Sequence, residues 1–335
     1  METKSFGRRT FINYGLISTF FFLSGCATAT YKKKLVLRGV PNTFPDELIK
    51  AIAAPWQFVP IRNVVSNEFS YKSILHEKTD LLILDDGWIS DLPFSALKAI
   101  KSKKIRDKLS SQSKSFLLGL GEDYKSRILP LTFSPWVILL RNEDSLTLKN
   151  KHSWEVMFSN ALKEQIVFPN SPYLLSSIVK KMGIFNDLAK LKRQAKAFDD
   201  RNALNWVVSG KARAAVLPLS RCVESLNRDP RLSVLFPVEG SPLNWTVFAS
   251  PRTSSEDFPV NFFEMLWDEN SSKRIVSKGF LPPTDFSNSN RLNINRFQRF
   301  KSFVFPDESF WNSCWSLPIL DFEKKENIAL AWNKS

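Results

Sequence analysis

The chain has 335 residues, 43% of them hydrophobic, and a formal charge of +14. This length and apolar content exclude a disordered chain and allow two domains or one large one. Two histidines and three cysteines are poor material for a zinc site or a Cys/His catalytic pair, so no metal or cofactor is expected. The basic residues are scattered and no nucleic-acid motif is present, so the charge reads as a solvated surface.

The first segment carries a distinct pattern. Arg8 and Arg9 precede an apolar core, Leu16–Leu23, too short to span a bilayer as a helix. It resembles a bacterial secretion signal, and Arg8–Ile12 resembles the twin-arginine type. Leu23-Ser24-Gly25-Cys26 resembles a lipoprotein box. That likeness implies cleavage before Cys26, acylation of its thiol, and a mature protein held outside the cytoplasm by lipid in a membrane. A plain secretion signal that contains Cys26 is the alternative. Residues 1–25 carry Lys4, Arg8 and Arg9 against Glu2, so the charge without them is +12. Cys222 and Cys314 then face an oxidising compartment, as a pair or as buried free thiols.

Lys34–Leu37 begins a strand, and Arg38–Pro41 is a loop. Pro45-Asp46-Glu47 opens a helix over Leu48–Ala54, with proline in its first turn and acids at its positive end. Trp56–Ile61 is a strand and Tyr71–Glu77 a short helix. The chain is organised around the stretch Asp80–Asp91. Leu81–Leu84 is an unbroken apolar run between Asp80 and Asp85-Asp86-Gly87, the pattern of a strand buried on both faces. Gly87 lets the chain turn. Ligands of open α/β sheets lie beyond the carboxyl ends of the strands, so Asp85, Asp86 and Trp88 stand where a ligand is expected. A plain strand–turn–helix join is the alternative, with Asp86 as a cap and Trp88 filling a core edge. Pro93–Ile100 and Lys103–Leu109 read as helices. This alternation predicts a parallel sheet.

Arg127–Arg141 reads as two strands broken at Ser134-Pro135, and the pattern then restarts. Ser153–Phe158 is a short helix, and Glu164–Phe168 runs into a strand. Ser171 caps a helix with Pro172 at its first position, which ends at Gly183. Asp187–Phe198 and Asn202–Ser209 are helices, Arg213–Leu217 a strand, Pro218–Asn227 a helix and Ser233–Phe236 a strand. Pro237–Pro242 is a second crossing. Asn244–Ala249 is a strand; Phe258–Trp267 and Lys273–Lys278 are helices. The tail from Pro282 is irregular, and its aromatics, Phe305, Phe310, Trp311 and Trp315 among them, are expected to pack against the body.

This order resembles the extracytoplasmic solute-binding proteins of ABC transporters, specifically the spermidine/putrescine-binding type. Four stretches across about residues 34–283 carry the likeness: Asp80–Trp88; the proline-marked strand Ile128–Leu140; Val167–Pro172 with the helix ending at Gly183; and Phe236–Gly240, followed by Trp245 on a strand and by Lys278–Pro282. The resemblance implies an α/β fold of the two-lobed, periplasmic-binding-protein-like type II, each lobe a mostly parallel sheet flanked by helices. Residues 31–134 and 240–335 would form one lobe with the tail, and 135–239 the other, with the ligand in a cleft that closes on a hinge. It further implies a monomeric, non-enzymatic receptor that delivers its solute to a membrane permease.

Carried over by position, Asp85, Asp86 and Trp88 fall in a ligand-contacting loop, Trp245 matches an aromatic wall, and Trp136 sits beside the first crossing. A tryptophan face under an amine contributes about 0.5–2 kcal/mol, and a carboxylate adds a charge-assisted hydrogen bond. The chain departs from the pattern in three places. Val247 stands where the family has an acid, and Ser171, Pro172 and Tyr173 stand where another acid opens the middle helix. Leu217-Pro218 replaces a tryptophan. One charged end is therefore expected, on a small cationic or amine-bearing solute. Two other classes compete: a lipid-tethered sensor or assembly partner with a degenerate cleft, and a secreted enzyme. Against the enzyme, there is no Gly-x-Ser-x-Gly elbow, no His-Glu-x-x-His and no Gly-rich phosphate loop.

Overall fold

A computed structural model describes residues 34–40, 43–45, 49, 55–61, 78–141, 152–183, 188–256, 259–285 and 305–334. The expected signal segment with Cys26, and the helices expected over 48–54 (Ile49 apart) and 71–77, lie outside them.

Unbroken apolar runs become central strands. In β3 (Leu81–Asp85) every residue before Asp85 is buried, and β7 (Ala214–Pro218) is buried throughout, as strands covered on both faces require. β1 (Leu35–Gly39) lies between β2 (Trp56–Pro60) and β3, parallel to both. β5 (Ile166–Phe168) lies between β6 (Ala195–Phe198) and β7, again parallel to both. Between these parallel flanks run β9 (Pro242–Ala249) and β4 (Ile128–Arg141), giving the order β2-β1-β3-β9-β4-β7-β5-β6. β9 is antiparallel to β3 and β4, and β4 is antiparallel to β7. The sheet is therefore mixed, with parallel flanks and antiparallel central strands. β8 (Leu232–Leu235) joins β4, and β10 (Trp315–Ser316) joins β9.

β4 is one strand of 14 residues, not two. It changes partners where the sequence predicts a break. From Ile128 to Pro135 it pairs with β9; from Trp136 it pairs with β7, and further on with β8. Past that point its side chains alternate between two apolar clusters. Val137 and Leu139 join the one built on β3, β9, Phe116 and Trp245. Ile138 and Leu140 join the one built on Trp154, Phe168 and Ile178.

Three further expectations are corrected. Ala195–Phe198 is a strand beside β5, not the end of a helix, which stops at Gln194. Within 93–100 only Phe94–Ala96 forms a helical turn, and Leu97 then bridges Pro251. The tail carries the helix Glu308–Ser313, β10 and the helix Phe322–Lys334; Phe305, Phe310 and Trp311 are buried. A helix over Ser111–Gly119, capped by Ser110, was not anticipated. Cys222, which is buried, and Cys314 are not joined to each other.

Candidate functional site

β3 delivers Asp85 at its carboxyl end, and the turn Asp86–Asp91 follows directly. Asp85 occupies the cap position of that turn without making a capping bond. Its carboxylate faces a cavity of about 560 Å³, where Asp86, Trp88 and Asp91 join it. The crossing strands add Trp136 and Asn244. The loops at 170–171 and 200–201 and the start of the helix Leu219–Arg228 add Ser171, Asp200, Arg201 and Arg221.

The two adjacent carboxyls are out of their usual range. Burial pushes Asp85 up to about 6, against the Asn244 amide, which donates to it at 3.5 Å, and the Arg221 charge. Burial, and then the neighbouring Asp85 charge, push Asp86 up to about 8, against hydrogen bonds from backbone N–H groups that include Trp245 and Gly87. Desolvation disfavours the charged form, and a second carboxylate disfavours it further. At neutral pH Asp85 is mostly ionised and Asp86 mostly holds its proton.

The opposite side carries positive charge. The Arg221 guanidinium donates to the backbone carbonyl of Asp200 and, at 2.9 Å, to that of Arg201. The Asp200 carboxylate accepts the Asn170 N–H at 3.0 Å. Lys325 of the last helix, which lines a smaller adjoining pocket, reaches Ser90 Oγ at 2.9 Å and the Asp91 carboxylate at 3.5 Å.

The structure thus brings Asp85, Asp86, Trp88, Trp136 and Ser171 around one cavity. The Ser171 hydroxyl accepts the Leu174 N–H at 3.3 Å, as a helix cap. Tyr173 stands in a smaller adjoining pocket of about 300 Å³ that shares Asp86, Asp91 and Ser171. Its hydroxyl donates to the Pro318 carbonyl at 2.9 Å, and burial pushes it up to about 12. Trp245 is corrected. It is 0% exposed, stacks on Phe116 at 4.4 Å and donates its indole N–H to Ser316 at 2.9 Å. Neighbours on a strand face opposite ways, so Asn244 meets Asp85 while the Trp245 ring enters the core. Trp245 serves the site through its backbone N–H alone.

Sequence reasoning missed Asp91, Asn244, Asp200, Arg201 and Arg221. The loop at 199–201 was hidden by reading 187–198 as one helix. A strand ending at Phe198 would have placed that loop at a carboxyl edge, where ligands sit. Among the described residues no cluster of His, Cys, Asp and Glu could hold a metal ion, and no helix is long and apolar enough to cross a membrane.

No family model and no curated protein matches this sequence. Solved structures do match. The spermidine/putrescine transporter substrate-binding protein of Streptococcus pneumoniae superposes with a TM-score of 0.67 at 14% identity, over 90% of this chain and 98% of that one. A Treponema pallidum lipoprotein, Tp0655, gives 0.64 at 12%, over 90% and 98%. The ferric binding protein of Campylobacter jejuni gives 0.57 at 16%, over the same shares. At these identities the likeness establishes the fold, that of the two-lobed, periplasmic-binding-protein-like solute-binding proteins.

Proposed function

We propose that this chain is the extracytoplasmic, lipid-anchored solute receptor of an ABC transporter. It captures a small amine-bearing or cationic solute between two lobes and presents it to a membrane permease. The observation that carries this reading is Asp85, at the carboxyl end of β3, in a cavity it shares with Trp88 and Trp136. A carboxylate partly out of water, beside aromatic faces, suits a desolvated ammonium group. Burial and the Asp85 charge both disfavour ionisation of Asp86, which supports a solute with one cationic end, because a buried ammonium without an ionised partner is costly.

The lobes are residues 31–134 with 240–335, and residues 135–239; the change of partners along β4 supports this division. The anchor is Cys26. A thermal-shift screen of the mature protein against amines, amino acids, sugars and anions tests the reading. A true ligand at 100 times its dissociation constant adds about 2.7 kcal/mol of stability. Stabilisation by amine-bearing solutes is expected; stabilisation only by sugars or by purely anionic solutes would overturn it.

A further inference from the structure

The cavity that Asp85 lines is also lined by two arginines, Arg201 and Arg221, and recognition of an amine alone does not call for them. Arg221 is half-buried on the first turn of its helix. Its bonds to the Asp200 and Arg201 carbonyls fix its plane and use two of its five N–H donors. Among the described residues it forms no ion pair, although its charge reaches Asp85, Asp200 and the Cys222 thiol. Arg201 lines the same wall. The sheet order separates the two charges: β3 carries Asp85, β7 leads into Arg221, and β9 and β4 run between them. Asp91 pairs with Lys325; the Asp200 carboxylate, which accepts the Asn170 N–H, stays on the arginine side, where the Arg221 charge acts on it. Asp85, with Trp88 and Trp136, lines one side of the cavity, and Arg221 and Arg201, two cations beside the one Asp200 carboxylate, line the other.

Building on the receptor reading above, we propose that the solute is a zwitterion, its ammonium end held at Asp85 and a carboxylate or phosphonate end held by Arg221 and Arg201. The planar fork of a guanidinium matches the two oxygens of such an end. The same fork repels the second ammonium of a diamine.

Calorimetry with solutes of one chain length but different ends tests this: 4-aminobutanoate, 1,4-diaminobutane and succinate, repeated with homologues of two to six carbons. For the wild type, the amino acid of one chain length is expected to bind at least about tenfold tighter than the matching diamine and diacid. In Arg221→Gln its affinity is expected to fall by roughly 10- to 150-fold, the range for hydrogen bonds to a charged group, while the diamine binds as well as before or better. Arg201→Gln, on an exposed side chain, is expected to show the same trend and serves if Arg221→Gln melts early. Tightest binding by a diamine, unmoved in both variants, would overturn the zwitterion and leave the amine receptor standing. Tightest binding by a diacid, or no binding by any of these solutes, would overturn both.

Discussion

Asp85 and Asp86 differ in sequence position by one residue and in chemistry by their surroundings. Asn244 and Arg221 hold Asp85 down; the Asp85 charge adds to burial in raising Asp86. In the unfolded chain both lose their protons near pH 4. In the folded protein Asp86 does so near 8, so the folded state binds more protons throughout that window. Stability from this group is complete below about pH 4 and is lost as pH rises through about 8. The melting temperature of the unliganded protein is therefore expected to fall more steeply between pH 5 and 8.5 in the wild type than in Asp86→Asn. Equal slopes would remove the assignment. The two cavity-side tryptophans and the buried one separate just as cleanly. Trp245→Ala is expected to cost about 3–5 kcal/mol of stability, read by chemical denaturation. Trp136→Ala is expected to spare most of the stability and cost about 0.5–2 kcal/mol of amine binding. The reverse pattern would return Trp245 to the cleft.

The elements were legible where burial is uniform and obscure where pairing overrides propensity. β3 showed itself as an apolar run between aspartates. Ser171-Pro172 announced its helix through cap chemistry alone. Ala195–Phe198 did not show itself, because alanine and lysine favour helix and only pairing with β5 makes them a strand. Ser111–Gly119 was missed because its first half, Ser-Gln-Ser-Lys-Ser, shows no apolar face. The Arg221 turn depended on contacts no local pattern carries. Ser134 Oγ donates to the Gly279 carbonyl at 2.9 Å and accepts the Ser220 N–H at 3.0 Å, tying the crossing strand to the helix that presents Arg221. Gly279 has φ +80°, and a Cβ there would lie 2.6 Å from Val223 Cγ2 and 2.9 Å from Ser220 Cα. Gly279→Ala is expected to lose more than about 1 kcal/mol of stability and to weaken solute binding by displacing the turn. Full stability together with wild-type affinity would show that the turn does not depend on this contact.

At the scale of the whole molecule, one reading comes from sequence alone: the anchor at Cys26. Mass spectrometry of membrane-fraction protein is expected to find Cys26 as an acylated N-terminus, with Cys26→Ser left unprocessed there. An unmodified Cys26 would contradict the anchor. The tail lines the smaller pocket beside the cavity and ties neighbouring elements together. Trp315 and Ser316 pair in parallel with the start of β9, Tyr173 binds the Pro318 carbonyl, and Lys325 holds Ser90 and Asp91. None of these contacts was visible in the irregular, aromatic-rich segment after Pro282. The receptor reading itself rests on Asp85 meeting an ammonium group. Its most direct test is a side-by-side calorimetric titration of wild type and Asp85→Asn with the tightest amine-bearing solute, at a pH where Asp85 is ionised. The variant is expected to lose about 1.5–3 kcal/mol of binding, and unchanged affinity would contradict the site.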